Sequence, residues 1–102
     1  MRQFDVYENP SPRRRDIAPY FVVLSSHLLS NLDEVVVAPL VLERDVAIGD
    51  IEIRLEFEGR THLLMVPGLF SLPSRELKRR IGSLAHREDD IRRALDRLFT
   101  GF

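Results

Sequence analysis

Short alternating and apolar stretches predict β-structure in the first part of the chain. Residues 3–7 alternate apolar and polar side chains, which predicts a half-buried strand. Residues 20–24 and 35–37 are runs of apolar β-forming residues, and both predict central strands. Because proline has no amide hydrogen for a strand ladder, we expect the second run to end at Pro39.

The clearest two-stranded unit lies further along the chain. Residues 51–58 alternate strictly between apolar and charged side chains, and residues 61–66 form a second apolar stretch. Gly59 and Arg60 lie between them at the position of a tight turn. This pattern predicts a β-hairpin.

The last third of the chain changes to helical spacing. Ser74 follows Pro73 as a candidate N-cap, and Leu77, Ile81 and Leu84 recur on one side of a short predicted helix.

A terminal helix is predicted more clearly. Acidic residues occupy positions 88–90, where the helix dipole favours negative charge. One apolar stripe then follows at positions i, i+4, i+7 and i+11: Ile91, Leu95, Leu98 and Phe102. Strands followed by helix predict a single α+β domain over residues 1–102, mainly β, with a curled antiparallel sheet partly covered by helix.

Composition narrows the class of protein. With 102 residues and no cysteine, the chain is predicted to lack disulfides and thiolate metal sites. No segment has the length of a signal peptide core or a membrane span, so we expect a cytoplasmic protein. The net charge of -1 disfavours direct binding to nucleic acid, although carboxylates concentrate in residues 31–60 and arginines after Ser74.

Candidate catalytic and metal-binding residues are few. We expect His62 to be a partly exposed strand side chain and His27 to bond to backbone in a turn. His86 has Asp89 or Asp90 at the i+3 or i+4 spacing of two metal ligands, but the chain has no second histidine on that face and no cysteine. The chain has no nucleophile elbow, HExxH or phosphate-binding glycine motif, so we predict no catalytic residue, no metal and no cofactor. The basic run at residues 13–15 lies in a proline-rich loop and is predicted to be solvated.

Two groups of apolar residues lie in segments where the sequence does not show what covers them. The chain ends with Phe99 and Phe102, which either pack on the sheet of the same subunit or form a partner surface. Leu28 and Leu29 lie between polar residues and either belong to the core or form a contact patch. The residue pattern leaves both alternatives open.

Three segments in order resemble the CcdB family of plasmid-addiction toxins: residues 3–7, residues 35–40 and residues 83–91. The most specific segment is His-Arg-Glu-x-Asp-Ile over residues 86–91, and it is followed ten residues on by Gly101 and a hydrophobic last residue. The resemblance covers essentially the whole chain. It implies an SH3-like antiparallel barrel with a C-terminal helix, as in CcdB and MazF proteins.

The resemblance also implies a function. Members of this family are homodimeric toxins of type II toxin–antitoxin systems that bind the DNA gyrase A subunit and trap gyrase on cleaved DNA. They are not enzymes, they use no cofactor, and a small antitoxin neutralises them. We therefore expect this chain to form a homodimer, to bind gyrase and a CcdA-like antitoxin, and to bind neither membrane nor nucleic acid directly.

The family's gyrase-facing residues map onto the end of the helix and an early apolar pair. The corresponding residues are Leu28, Leu29, Asp96, Phe99, Thr100, Gly101 and Phe102. The family pattern has tryptophan where this chain has Thr100 and asparagine where it has Asp96. The larger last residue, Phe102, is expected to supply the aromatic area that is missing at Thr100.

Two other functions remain as alternatives. One is an endoribonuclease toxin of the MazF or Kid type, since those proteins share the family's barrel. RNA cleavage requires cations and an acid–base pair in one groove, and residues 13–15 with a histidine or carboxylate are the candidates. The other is a non-toxic family member that binds only the antitoxin, as Thr100 and Asp96 suggest.

Overall fold

The computed structural model describes residues 1–26, 33–43 and 52–101. The described strands are β1 Asp5–Glu8, β2 Tyr20–Val23, β3 Glu34–Leu42, β4 Glu52–Phe57, β5 Arg60–Met65, β6 Phe70–Pro73 and β7 Arg80–Ser83. One α-helix, α1 Glu88–Thr100, follows them. No helix in this part of the chain is long and apolar enough to cross a membrane.

The strands form one antiparallel sheet in the order β4-β5-β3-β2-β1-β7, with β6 paired to β3 outside this path. The sheet curls into a half-barrel, and α1 packs against its inner face through Ile91 and Ala94. This arrangement confirms the predicted α+β class and the terminal helix.

Strand β3 is longer than its sequence predicts, and the expectation that it ends at Pro39 is wrong. Its first half pairs with β6 from Glu34 to Val37, and its last residues pair with β5 from Leu40 onward. Pro39 falls between these two pairings and is matched only to Phe21 of β2 in the described registers. A proline is therefore tolerated, because neither β5 nor β6 requires its missing amide hydrogen.

Apolar residues pack on both faces of the curled sheet. The main core lies under α1 and contains Phe4, Val6, Val22, Leu24, Ala38, Leu40, Ile53, Leu55, Leu64, Val66, Leu84, Ile91 and Ala94. A second core covers the opposite face and contains Tyr7, Phe21, Val23, Val35, Val37, Leu72 and Leu77. Strand β1 lies between the two cores with Val6 and Tyr7 both buried, so the prediction of a half-buried strand is wrong.

The predicted helix starting at Ser74 is also wrong. The chain forms a short 3-10 turn at Ser74–Glu76 and then enters β7, where Gly82 pairs with Val6 of β1. Leu77 is buried in the second core and Leu84 in the main core, so these residues do not share one face. Pairing with a strand distant in sequence thus overrides the local helical spacing.

The predicted hairpin is confirmed, but its turn lies one residue earlier than expected: Arg60 pairs with Phe57 at the start of β5, and the turn residues are Glu58 and Gly59. Strands β4 and β5 pair in register from Glu52 with Met65 to Phe57 with Arg60. Both turn residues have positive φ, 52° at Glu58 and 74° at Gly59, as a type I′ turn requires. Ile51, which opened the predicted alternation, lies outside the described residues.

Candidate binding surface at the end of the helix

The last turn of α1 lies at the surface because the apolar residues of the helix lie on one side. Ile91 and Ala94 are buried in the main core, and Leu98 is partly buried against it. Asp96 lies on the opposite side of the helix and Phe99 lies at the margin of the apolar stripe, and both are exposed. The amphipathic spacing of the helix therefore sets which residues of its last turn face solvent.

Gly101 ends the helix in the left-handed conformation, with φ of 79°. Its amide donates to the carbonyl of Arg97 over 3.1 Å, which satisfies one of the carbonyls left open at a helix end. The hydroxyl of Thr100 donates to the carbonyl of Asp96 over 2.6 Å. These two bonds hold the last turn, and they direct the Thr100 hydroxyl to the backbone of its own helix.

Phe99 is the most exposed large apolar residue that the structure describes. Its side chain is 70% exposed, so it does not pack on the sheet of its own subunit. Of the two alternatives raised by the sequence, the first is therefore wrong for this residue. An exposed aromatic ring on a well-formed helix end is typical of a partner surface.

The structure places four of the predicted gyrase-facing residues on one turn. Asp96, Phe99 and Thr100 have the i, i+3 and i+4 spacing of one helix side, and Gly101 follows them. The other three predicted residues, Leu28, Leu29 and Phe102, lie outside the described residues.

A set of ion pairs on α1 is visible only in the structure. The carboxylate of Asp90 accepts from Arg87 over 2.8 Å and from Arg93 over 2.7 Å. The hydrogen bond from Arg87, together with the charges of Arg87 and Arg93, lowers the pKa of Asp90 below its usual value. The i+3 spacing of these residues is a sequence signal for such pairs, but it does not show which pairs form.

The side chain of His62 lies in the interior of the protein. It is 1% exposed, so it is not the partly exposed strand side chain that was expected. Its ring packs beside the rings of Tyr20 and Phe57, with centroids 5.7 and 6.2 Å away. Its Nδ1 lies 3.0 Å from the carbonyl oxygen of Arg60, and because a carbonyl oxygen only accepts, Nδ1 carries a proton in this hydrogen bond.

The ring of His62 also lines a cleft of about 240 Å³ that sequence reasoning did not identify. The charged side chains along this cleft are Arg15, Asp16, Glu58 and Arg60. The structure thus brings a histidine, two carboxylates and two guanidinium groups to one cleft. Among the described side chains, no three histidine or carboxylate groups are arranged as a metal site.

The basic run at residues 13–15 divides into two parts. Arg13 and Arg14 are exposed, as predicted for a solvated loop. Arg15 is partly buried and anchors the loop, because its guanidinium lies 3.1 Å from Glu8 and donates to the carbonyl of Asn9 over 2.7 Å.

Two solved structures show where this fold recurs. An endoribonuclease in complex with its cognate antitoxin, from a mycobacterial species, matches with a TM-score of 0.73 and 13% identity, over 96% of this chain and 93% of that chain. The Mycobacterium tuberculosis toxin MazF-mt6 matches with a TM-score of 0.71 and 19% identity, over 96% of each chain. At these identities the likeness shows a shared fold alone.

Sequence comparison gives the family. No curated protein sequence matches the chain. The family model described as CcdB protein matches residues 3–101, which include β1, the whole sheet and α1. The chain therefore belongs to the CcdB family.

Proposed function

We propose that this protein is the toxin of a type II toxin–antitoxin system, that it binds the DNA gyrase A subunit, and that it traps the gyrase–DNA cleavage complex. Family membership over residues 3–101 supports the proposal. The observation that carries it is Phe99, an exposed ring on the helix turn where the family's gyrase-facing residues fall. Exposed aromatic rings are frequent energetic centres of protein interfaces.

The proposed mechanism is steric and involves no bond chemistry by the toxin. The cap at Gly101 ends α1 so that Phe99 projects from a rigid turn, which lowers the conformational entropy lost on binding. In a homodimer, two such turns would present a pair of rings to a two-fold symmetric gyrase A dimer. The proposed surface also includes Leu28 and Leu29, and its target places the action of the toxin in the cytoplasm.

Thr100 and Asp96 are the two positions of the proposed gyrase-binding surface at which this chain differs from the family pattern. Thr100 is short, and its hydroxyl is bonded to its own helix, so it contributes no aromatic area. In the proposal, Phe99 together with Phe102 supplies that area. Asp96 is exposed and brings a carboxylate to the same surface.

The test is inhibition of gyrase supercoiling by the purified protein, with cleaved DNA as the second readout. Phe99→Ala is expected to weaken inhibition roughly 30- to 1000-fold, the usual cost of truncating an aromatic anchor. Ile17→Ala is the matched control, because Ile17 is also an exposed apolar residue but lies in the turn before β2. Its inhibition should equal that of the wild type.

Two results would contradict the proposal. If the wild-type protein leaves supercoiling intact yet binds its cognate antitoxin, the chain is a family member that binds only antitoxin. If Phe99→Ala inhibits gyrase as strongly as the wild type, the helix end is not the gyrase surface.

The cleft beside His62 favours a second candidate function, cleavage of RNA. With Nδ1 protonated, the Nε2 lone pair would accept a proton from a ribose 2′-hydroxyl. Attack of that oxygen on phosphorus would form a 2′,3′-cyclic phosphate and break the bond to the 5′-oxygen, which would take a proton from water and leave as a 5′-hydroxyl. Arg60 lines the same cleft and would bind the phosphate. The ring is 1% exposed, so substrate access would require the cleft to open.

The two candidate functions are separated by one pair of assays. RNA cleavage that is lost in His62→Gln, with gyrase unaffected by the wild type, would establish the second candidate. An all-deoxy oligonucleotide of the same sequence is the control substrate, because it lacks the attacking hydroxyl. Intact RNA after long incubation would exclude this candidate.

A further inference from the structure

Two basic stretches that are far apart in the sequence meet at one cleft on the surface. Residues 13–15 are three arginines, and residues 78–80 are a lysine and two arginines. Members of both stretches line a cleft of about 390 Å³, here called the basic cleft, whose lining residues are Glu8, Pro10, Arg15, Glu76, Lys78 and Arg79. The end of α1 contributes no residue to this set, so the basic cleft is a different surface from the one proposed to bind gyrase.

Glu8 holds the two stretches together. Its amide donates to the carbonyl of Arg79 over 2.9 Å, beside the pairing of β1 with β7. Its carboxylate lies 3.1 Å from the guanidinium of Arg15 and 3.4 Å from that of Arg79. One carboxylate therefore serves two guanidinium groups, and the three side chains together keep a positive charge.

Four exposed cations in these segments form no ion pair with another described side chain: Arg13, Arg14, Arg75 and Lys78. The first two lie in the 3-10 turn Pro12–Arg14 that leads into Arg15, and the third lies in the turn Ser74–Glu76 before the lysine. The nearby carboxylates of Glu8, Asp16 and Glu76 are fewer than the cations of the two segments. This part of the surface is therefore positive, although the whole chain has a net charge of -1.

We propose that the basic cleft binds the sugar–phosphate backbone of duplex DNA without preference for sequence. Cationic side chains supply nearly all of the free energy of such binding, because each phosphate contact releases condensed counterions. The charges that matter are those within about 10 Å of the phosphates at 0.1 M salt, so a local positive surface outweighs the charge of the whole chain. The inference goes beyond gyrase binding and does not rest on it.

The residue types of the cleft favour a duplex over other polyanions. Proteins that bind single strands stack the bases on aromatic rings, and none of the described lining residues is aromatic. A duplex keeps its bases stacked inside and presents its phosphates to cations. A lipid surface is also disfavoured, because Pro10 is the one apolar side chain among these lining residues and nothing else there would insert into a bilayer.

The probe is a fluorescein-labelled DNA duplex of about 20 base pairs, titrated with the full chain and followed by fluorescence anisotropy. We expect saturable binding with a Kd on the order of 10 to 100 µM at about 50 mM salt. A plot of the logarithm of the binding constant against that of the salt concentration should have a slope of about -4, as four unpaired cations imply. A duplex of scrambled sequence should bind equally well.

Two double variants each remove two cations from one of the segments. They are Arg13→Gln with Arg14→Gln, and Arg75→Gln with Lys78→Gln. Each should bind the duplex about tenfold more weakly and should reduce the steepness of the salt dependence by about two. The effects of the two variants should be similar, because the structure brings both segments to one cleft.

The matched control is Arg2→Gln with Arg92→Gln. Both residues line a different groove, so the control loses the same charge without changing the basic cleft. Its affinity for the duplex should stay within about twofold of the wild type. Circular dichroism of each variant checks that it is folded.

An absence of saturable binding would overturn the proposal, as would an affinity that the two cleft variants leave unchanged or that the control lowers as much as they do. Equally tight binding of a single strand of the same length, or tighter binding of anionic lipid vesicles, would show that the ligand is not duplex DNA. The measurement contains no gyrase. A protein that fails to inhibit gyrase would still be expected to bind the duplex, so the two proposals fail separately.

Discussion

At the scale of single residues, positive φ angles mark positions where tertiary contacts hold the backbone in a conformation that the residue itself disfavours. Phe4 has φ of 71°, a conformation that costs a residue of this size about 1 to 3 kcal/mol. It is held there because its amide donates to Val23 over 2.7 Å and its carbonyl accepts from Leu84 over 2.8 Å. Its ring is buried in the main core beside the guanidinium of Arg92. Phe4 thus ties the start of the chain to the helix.

Gly59 supplies a prediction at this scale. Its φ is 74° and an added Cβ would meet no atom within 4 Å, so the cost of a side chain is confined to the backbone. We expect Gly59→Ala to lower the free energy of unfolding by about 1 kcal/mol, as measured by urea denaturation. Gly59→Asn should cost less, because asparagine tolerates the left-handed region. Equal stability of the alanine variant would contradict the type I′ turn.

At the scale of elements, α1 combines a buried stripe with an ion-paired first turn. Glu88, Asp89 and Asp90 occupy that turn, where the helix dipole favours negative charge. No side-chain hydrogen bond caps the helix at Arg87. The contacts of Asp90 with Arg87 and Arg93 therefore help to fasten the start of the helix without a capping side chain.

Asp90 supplies a prediction of pH dependence. Its pKa in the folded state lies below the usual 3.8, so the ionised carboxylate stabilises the folded protein at neutral pH. That contribution is complete above about pH 5 and is lost as the pH falls through the folded-state pKa. Asp90→Asn should therefore melt at a lower temperature than the wild type at pH 7, and the difference should shrink below pH 3.8.

Asp89→Asn is the matched control for this measurement. Asp89 lies in the same first turn, and no ion pair joins it to another described side chain. Both substitutions remove one carboxylate near the helix dipole, so the pH-dependent difference between them isolates the arginine contacts of Asp90. A wild-type melting temperature that differs from that of Asp90→Asn by the same amount at pH 7 and pH 3 would contradict the prediction.

At the scale of the whole molecule, the apolar residues on the surface of α1 favour association of two copies of the chain. Phe99 is exposed, and Leu95 and Leu98 are only partly buried against the main core. A domain of 102 residues buries a limited share of its surface by itself. Association of two copies would cover apolar surface that a lone subunit leaves in water.

We therefore predict a homodimer. Light scattering at micromolar concentration should give a mass of twice the 11.8 kDa of one chain. A monomeric mass would contradict this prediction, and it would also remove the paired helix ends on which the proposed gyrase binding depends.

The elements that follow from the sequence are those whose signals are local. The β4–β5 hairpin needs only alternation and a glycine turn, and α1 needs only its acidic start and apolar spacing. The helix expected at Ser74, the strand end expected at Pro39 and the exposure expected for His62 were wrong. In each case a partner distant in the chain decided the outcome. Strand β1 pairs with the segment expected to be a helix, β3 changes its partner from β6 to β5 around Pro39, and the ring of Tyr20 packs beside His62.

The candidate sites also differ in whether local sequence or tertiary structure identifies them. The family and the residues of the helix end follow from short motifs in the sequence, and the structure adds that Phe99 is exposed there. The basic cleft and the cleft beside His62 were decided by the tertiary structure alone. Their walls come from segments far apart in the chain, and only the pairing of β1 with β7 brings Lys78 and Arg79 beside Arg15.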